Sequence, residues 1–177
     1  MKKFPYTYRP APGWTRRTDE DLLGFIHYFY PDGREFPHDN WKRLEWTLSK
    51  IDHNRRVEFL PLSRETNFAG TVVDCLGIDA RGGRYSMSEV TGVDHEVIKS
   101  VLKSGQITAI LREAVELIET YGIESLGFRC IGGTHRSVAV IHILLMIAYR
   151  NAVCRPLNER VRRAAEHFWR MSPLPSE

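Results

Sequence analysis

Apolar residues recur at helical spacing in the second half of the chain. Residues 107–122 place them three or four positions apart, which predicts an amphipathic helix with Gly122 just past its end. Residues 136–150 are apolar nearly all round, which predicts a helix buried in the core. The segment 91–103 predicts a shorter helix with Asp94 at its N-cap.

Short runs of aliphatic and aromatic residues lie between these helices and before them. Residues 56–62, 70–78 and 124–130 predict strands, whereas the glycine-rich, polar stretch 79–89 predicts a loop. Strands that alternate with helices are typical of an α/β fold with a mainly parallel sheet. We therefore predict a single α/β domain with helices packed on that sheet.

The N-terminal part of the chain predicts an extension of this domain. Its first 15 residues contain three prolines and several aromatic side chains, which indicates an extended arm. Thr18 is the predicted N-cap of a helix that ends before Pro31, and a second helix is predicted over residues 41–51. The expected division is an arm with a helical extension in residues 1–55.

The remainder, residues 56–177, is expected to form the domain itself. After Pro156, residues 157–171 predict a last, basic helix. Six arginines crowd this end of the chain: Arg150, Arg155, Arg160, Arg162, Arg163 and Arg170. They fit two alternatives equally well: a basic surface that binds the phosphate backbone of RNA, or a solvated amphipathic helix.

The composition is that of a globular domain and not of a membrane protein. The chain has 177 residues, of which 42% are hydrophobic, enough for one domain with a real core. The net charge of +3 does not by itself select a nucleic-acid partner. No apolar run approaches the roughly 20 residues that cross a bilayer, so no membrane partner is expected.

The cysteines exclude two further classes of site. Cys75, Cys130 and Cys154 are odd in number and form no CxxC pair, which argues against a disulfide framework and against a structural zinc site. We expect a cytoplasmic protein with reduced thiols, and no metal or cofactor.

The most informative segment is the loop CIGGTHRS, residues 130–137, which follows a predicted strand and begins the buried helix. Ligands of open α/β sheets bind beyond the carboxyl ends of the strands. Gly132 and Gly133 allow the backbone to approach a ligand closely, and the helix start offers unpaired N–H groups. Arg136 adds a guanidinium fork. With further polar contacts from Thr134, His135 and Ser137, the loop predicts binding of a phosphate-sized anion.

The same loop also fits the C-x5-R-[ST] spacing of cysteine-dependent phosphatases. There a thiolate of lowered pKa attacks phosphorus, a role that would make Cys130 the catalytic nucleophile. A buried cysteine at a strand end is also common as an inert small hydrophobic residue. We favour a binding module that is not an enzyme, and keep the phosphatase-type hydrolase as the alternative.

A family resemblance supports the binding hypothesis. The segment CIGGTHRSVAV resembles the C-x-G-G-x-H-R-S-V segment in the C-terminal domain of RapZ-type RNase adapter proteins. Upstream, TGVDHEV at 91–97 looks like that family's TG-[LM]-D-x-EV segment. VVDCLGID lies where the family has a strand that ends in V-F-D-V-R. The similarity covers residues 56–150, and no P-loop motif of the adapters' N-terminal half is present, so we expect a stand-alone domain.

The resemblance implies a domain that binds a phosphorylated amino sugar, forms homo-oligomers and binds RNA. It implies ligand contacts at Cys130, Gly132, Gly133, His135 and Arg136, with Thr91, Gly92, Asp94 and Asp74 matching the other two motifs. One departure is Leu76, which stands where the family has an arginine. Our leading hypothesis is therefore a regulatory or sequestering module for an amino-sugar phosphate or a nucleotide-like signal.

Overall fold

The structure is a computed structural model of the chain. It describes residues 50–79, 89–149, 151–155 and 159–163 with their side chains, and the backbone of 6–10, 15–17, 27–29, 164–166 and 169–173.

Eight strands are present in the described part of the chain. They are β1 (Tyr6–Pro10), β2 (Thr15–Arg17), β3 (His27–Phe29), β4 (Glu58–Leu62), β5 (Thr71–Asp74), β6 (Ser125–Arg129), β7 (Val153–Cys154) and β8 (Trp169–Pro173). The main sheet has six strands in the order β5-β6-β4-β7-β1-β8. The strands β5, β6, β4 and β7 are parallel, and β1 is antiparallel to β7 and β8. The predicted α/β fold with a mainly parallel sheet is confirmed.

The described helices follow the predicted apolar pattern. They are α1 (His95–Lys103), α2 (Ile107–Glu119), α3 (Arg136–Ile147) and α4 (Glu159–Glu166). Every residue of α3 after Arg136 is buried, including the polar Ser137 and His142, as its mainly apolar sequence predicts, and α3 contacts β4, β6, α1 and α2. Beyond the end of α2, Gly122 has φ +67, a left-handed conformation that glycine adopts without strain. No helix in the described ranges is long and apolar enough to span a bilayer.

A proline lies inside the central strand β4. Along this strand Val57 and Phe59 accept hydrogen bonds from the β7 side, whereas Leu62 accepts one from the β6 side. The alternation turns the backbone nitrogen of Pro61 toward β7, at a point beyond the two residues of β7 that pair with β4. The missing N–H of Pro61 therefore breaks no bond of the ladder.

The core lies between the sheet and α3. The ring of Phe59 on β4 makes edge contacts with Phe128 on β6 and with Tyr149 just after α3, at centroid distances of 5.6 and 6.1 Å. The Tyr149 hydroxyl donates to Glu119 at 2.9 Å, and Glu119 also pairs with Arg55 at 3.2 Å. This packing fixes the direction in which β6 and α3 meet, which is where the predicted site lies.

Two predicted helices are wrong in part. His27–Phe29 is strand β3, paired with β2, although it falls within the helix predicted between Thr18 and Pro31. Trp169–Pro173 is strand β8, paired with β1, although the last helix was predicted to continue to residue 171. In both cases pairing with another strand overrides local helical spacing; β2 closely precedes β3, whereas β1 lies at the opposite end of the chain from β8. The predicted extended arm contains β1, which pairs within the main sheet.

Other N-terminal predictions and the predicted loop lie largely outside the described residues. These are the helix over 41–51, except for residues 50 and 51, which are not helical, and the loop over 79–89, of which only 79 and 89 are described.

Candidate functional site

The loop of residues 130–137, here named the cradle loop, joins the end of β6 to the start of α3. Its first residues extend the sheet, because the N–H of Cys130 donates to the carbonyl of Leu62 at 3.1 Å. The N–H of Arg64 in turn donates to the carbonyl of Ile131 at 3.0 Å. The loop is therefore fixed to the carboxyl end of β4, at the edge of the sheet where α/β proteins bind ligands.

The two glycines of the loop have different roles. Gly133 has φ +64, and a Cβ atom there would lie 2.9 Å from the backbone nitrogen of Ser63 and 3.0 Å from the carbonyl carbon of Leu62. Both the conformation and the close approach require glycine. Gly132 is exposed, and a Cβ atom on it would approach only Thr134, at 4.0 Å. Packing of the fold therefore accounts for the glycine at position 133. At position 132 the space beside the backbone is open.

The sulfur of Cys130 lies inside the loop. Cys130 is 2% exposed, and its Sγ is 3.2 Å from the Ser137 hydroxyl. Burial raises the pKa of the Cys130 thiol, but hydrogen bonds from the hydroxyl and N–H of Ser137 and from the N–H groups of Gly133 and His135 lower it. The net result is a pKa below the ordinary value of 9.0. Donors from the loop and from the first turn of α3 thus converge on one atom and stabilise it as a thiolate.

The segment around Gly92 forms a second wall of the loop. The N–H of Gly92 donates to the carbonyl of Thr134 at 2.8 Å, and Nε2 of His135 lies 2.8 Å from the carbonyl of Val90. Because a carbonyl only accepts, Nε2 of His135 carries the hydrogen. A Cβ atom on Gly92 would come within 2.2 Å of the carbonyl oxygen of His135, so glycine is required here as well.

Thr91 and Asp94 hold this wall rather than line the loop. A carboxylate oxygen of Asp94 accepts from the N–H of Thr91 at 2.6 Å and from its hydroxyl at 3.3 Å. Asp94 occupies the predicted N-cap position of α1, but its side chain bonds backward to Thr91 and makes no capping bond to the helix. The TGVD motif is therefore a compact turn that presses Gly92 against the start of α3.

Arg136 is anchored by the turn that follows β5. Its Nη1 donates to the carbonyls of Leu76 at 2.6 Å and Ile78 at 3.2 Å. Asp74 supports that turn, because its carboxylate accepts from the N–H of Leu76 at 2.8 Å. Asp74 thus acts on the site through a turn, and the bond that it makes is not part of the cradle loop.

The structure brings the predicted loop residues and Gly92 into direct contact, and connects Thr91 and Asp74 through turns. The sequence argument missed the carbonyls of Leu76, Ile78 and Val90, which hold Arg136 and His135. Backbone carbonyls leave no residue-specific signal, so no pattern pointed to them. At Leu76 the main chain, not the side chain, carries the contact.

The C-terminal arginines described by the structure are engaged with protein groups. Arg162 and Arg163 both pair with Glu159, and hydrogen bonds from Arg162 first and Arg163 second lower the pKa of Glu159 to about 2. Arg160 donates to the carbonyl of Val90 at 2.6 Å. Each of these three arginines therefore has a protein partner, and binding of RNA at this end of the chain stays a prediction.

Comparison with known proteins identifies no relative, since no protein-family model, no curated protein and no solved structure matches the chain. The resemblance to the RapZ-type C-terminal domain therefore stays a prediction. In the described ranges, no group of three or more His, Cys, Asp or Glu residues is arranged to hold a metal ion.

Proposed function

We propose that the cradle loop binds the phosphate group of a small phosphorylated molecule. One contact carries the proposal: the Ser137 hydroxyl, in the first turn of α3, lies 3.2 Å from the buried sulfur of Cys130. Hydrogen bonds from Ser137 and from the N–H groups of Gly133 and His135 lower the pKa of the same thiol, against the effect of its burial. A backbone that turns several donors toward one negatively charged atom is also suited to the oxygens of a phosphate.

Arg136 supplies the positive charge that such a ligand needs. Both of its hydrogen bonds to carbonyls use Nη1, so a bidentate contact to phosphate through Nη2 and Nε would leave the anchor intact. The N-terminus of α3 adds the positive end of its dipole at the same place.

The finer parts of the proposal come from the resemblance. An amino-sugar phosphate or a nucleotide-like signal is the proposed ligand, with a regulatory or sequestering role in a cytoplasmic homo-oligomer. RNA binding belongs to the same proposal and rests on the resemblance, because the described arginines of α4 contact the protein itself.

Calorimetric titration tests the ligand class. The probes are inorganic phosphate, glucosamine 6-phosphate, adenosine monophosphate and unphosphorylated glucosamine. We expect Arg136→Met to weaken binding of the phosphorylated probes by at least about tenfold, because a charge-assisted bond is lost. The matched control is Arg112→Met, on the exposed side of α2, which leaves affinity unchanged. Equal affinity of the Arg136→Met variant and the native protein for every phosphorylated probe would refute the proposal.

A second candidate function is phosphoester hydrolysis, favoured by the lowered pKa of the Cys130 thiol. The thiolate would attack phosphorus, forming an S–P bond as the bond to the leaving oxygen breaks; water would then hydrolyse the thiophosphate. The carboxylates of Asp74 and Asp94 are engaged in turns, so neither is placed as the acid for the leaving group.

Turnover of para-nitrophenyl phosphate separates the two candidates. Hydrolysis predicts release of nitrophenol that disappears in Cys130→Ser and persists in Cys154→Ser, a control in β7. A pure binding module predicts no turnover in any of the three proteins, with phosphate affinity retained in Cys130→Ser.

A further inference from the structure

Two cysteines lie side by side at the base of the cradle loop. The parallel strands β5 and β6 are paired up to Asp74 and Arg129, and Cys75 and Cys130 are the next residues of each strand. The N–H of Cys75 donates to the carbonyl of Arg129 at 2.8 Å, so the ladder continues to this point. Matched positions of parallel neighbours face the same side of a sheet, with strands about 4.8 Å apart. Disulfides span Cα separations of roughly 4.4–6.8 Å.

Both side chains are buried in the same part of the core, with Cys75 at 0% and Cys130 at 2% exposure. Burial first, and the charge of Cys130 second, raise the pKa of the Cys75 thiol. The influence of one sulfur on the other is consistent with their position on adjacent strands. The contact of the Cys75 sulfur with the carbonyl of Val73 is long for a hydrogen bond, at 4.0 Å.

We propose that Cys75 and Cys130 form a reversible disulfide when the protein meets a peroxide, which makes the cradle loop a site of oxidative modification. The proposal stands on the register of β5 and β6 and does not depend on phosphate binding.

The chemistry proceeds in two balanced steps. The Cys130 thiolate attacks one oxygen of hydrogen peroxide, so that an S–O bond forms, the O–O bond breaks, and hydroxide leaves to become water. The Cys75 thiol then loses its proton and attacks the Cys130 sulfur, forming the S–S bond as the S–O bond breaks and a second water leaves. Two thiols are oxidised, and one peroxide is reduced to two waters.

The first step also prepares the second. Burial first, and the charge of Cys130 second, keep the Cys75 thiol protonated and make it a weak nucleophile. A sulfenic acid at Cys130 is neutral, so this repulsion is removed, whereas the favourable influence of Arg136 on Cys75 remains.

The third cysteine provides an internal control. Cys154 lies on β7, and β4 separates β7 from β6 in the sheet. It is buried, and burial first and then the charge of Glu58 raise its thiol pKa, so it lacks both the neighbour and the thiolate character of Cys130. All three residues are free thiols in the structure.

Peptide mapping tests the proposal on the full chain. The protein is treated with hydrogen peroxide, capped with iodoacetamide, cleaved with trypsin without reductant, and analysed by mass spectrometry. The cysteines fall on separate tryptic peptides, 65–81, 130–136 and 151–160. We expect a linked pair of 65–81 with 130–136 that dithiothreitol separates.

Two variants test the separate roles of Cys75 and Cys154 in this oxidation. Cys75→Ser should drive Cys130 to sulfinic and sulfonic acid, at least about tenfold faster than in the native protein, since no resolving thiol remains. Cys154→Ser should leave the linked pair unchanged. The proposal fails if the native protein yields no linked pair, whether Cys130 stays reduced or passes directly to sulfinic acid. It also fails if the linked pair contains peptide 151–160. The native protein alone gives this answer, even if Cys75→Ser folds poorly.

Discussion

The hydroxyl oxygen of Ser137 lies 3.2 Å from the sulfur of Cys130, and both residues are buried. This contact joins the first turn of α3 to the end of β6 and closes the cradle loop. When Cys130 is a thiolate, only the hydroxyl can donate, so the contact favours the charged form. Cys130 is therefore the electrostatic centre of the loop as well as part of its wall.

Replacing Ser137 by alanine should raise the pKa of the Cys130 thiol toward its ordinary value, because one donor to the thiolate is lost. The pH dependence of iodoacetamide labelling of peptide 130–136 measures the pKa of the Cys130 thiol. In the native protein the labelling midpoint should lie below 9.0, and in Ser137→Ala it should shift upward. Identical midpoints in the two proteins would show that the hydroxyl does not stabilise the thiolate.

The same pKa has a consequence for stability. The folded-state pKa of Cys130 is lower than in the unfolded chain, so ionisation stabilises the fold above the unfolded pKa, and this stabilisation is lost as pH falls through the folded pKa. Across that window the free energy of unfolding of the native protein should increase with pH relative to that of Cys130→Ser, which keeps the opposing contributions of Cys75 and Cys154. Urea denaturation of the two proteins at a series of pH values measures this difference, and a difference that does not change with pH would contradict the lowered pKa of Cys130.

Gly133→Ala should destabilise the protein more than Gly122→Ala. Both glycines have left-handed φ, which costs a residue with a side chain about 1–2 kcal/mol, but only at Gly133 would the new methyl meet backbone, at Ser63. Chemical denaturation gives the two free energies of unfolding, and the difference isolates the close approach. Phosphate affinity should fall in Gly133→Ala alone. Equal losses of stability would contradict the packing described for the loop.

Gly92→Ala should cost at least about 2 kcal/mol of stability, because its methyl would overlap the start of α3. The matched control is Gly77→Ala, where nothing lies within 4 Å of the new methyl and the change should be within about 0.5 kcal/mol. Thermal and urea unfolding of the two variants provide the comparison. A stable Gly92→Ala protein would mean that the TGVD turn does not press on α3.

Tyr149→Phe should remove about 1–2 kcal/mol at neutral pH, since Glu119 loses a buried donor. Burial first, and the bond to Glu119 second, raise the pKa of Tyr149 above its ordinary value. The Tyr149 hydroxyl therefore makes its full contribution to the free energy of unfolding below the unfolded pKa of about 10, and this contribution is lost as the pH rises above that value. Stability of the native protein should fall above that pH more steeply than that of Tyr149→Phe. Tyr121→Phe, at a 68% exposed position, should behave like the native protein.

The sequence was sufficient for the elements that bury a regularly spaced apolar face. Helices α1, α2 and α3 and the parallel strands β4, β5 and β6 follow from hydrophobic spacing, because burial of one face dictates that spacing. Strands β3 and β8 were missed because the sequence around each of them also has a spacing that suits a helix. Their extended structure depends on pairing with β2 and with β1, which local pattern does not reveal.

The site likewise has features that local sequence predicts and features that depend on contacts with other parts of the chain. The residues of CIGGTHRS were predictable, since glycines, a helix start and an arginine have a recognisable chemistry. The positions of Arg136 and His135 were not, because main-chain carbonyls of Leu76, Ile78 and Val90 fix them. That Cys75 lies beside Cys130 could not be predicted either, because it depends on the register of β5 against β6.

The central claim is that the cradle loop binds a tetrahedral oxyanion. A crystal soaked in tungstate tests it most directly, because the anomalous signal of tungsten locates the ion without ambiguity. We expect tungsten beside the Cys130 sulfur, with its oxygens on the N–H groups of Gly133, His135 and Ser137 and on the guanidinium of Arg136. Tungsten bound only elsewhere on the surface, with none at the loop, would contradict it.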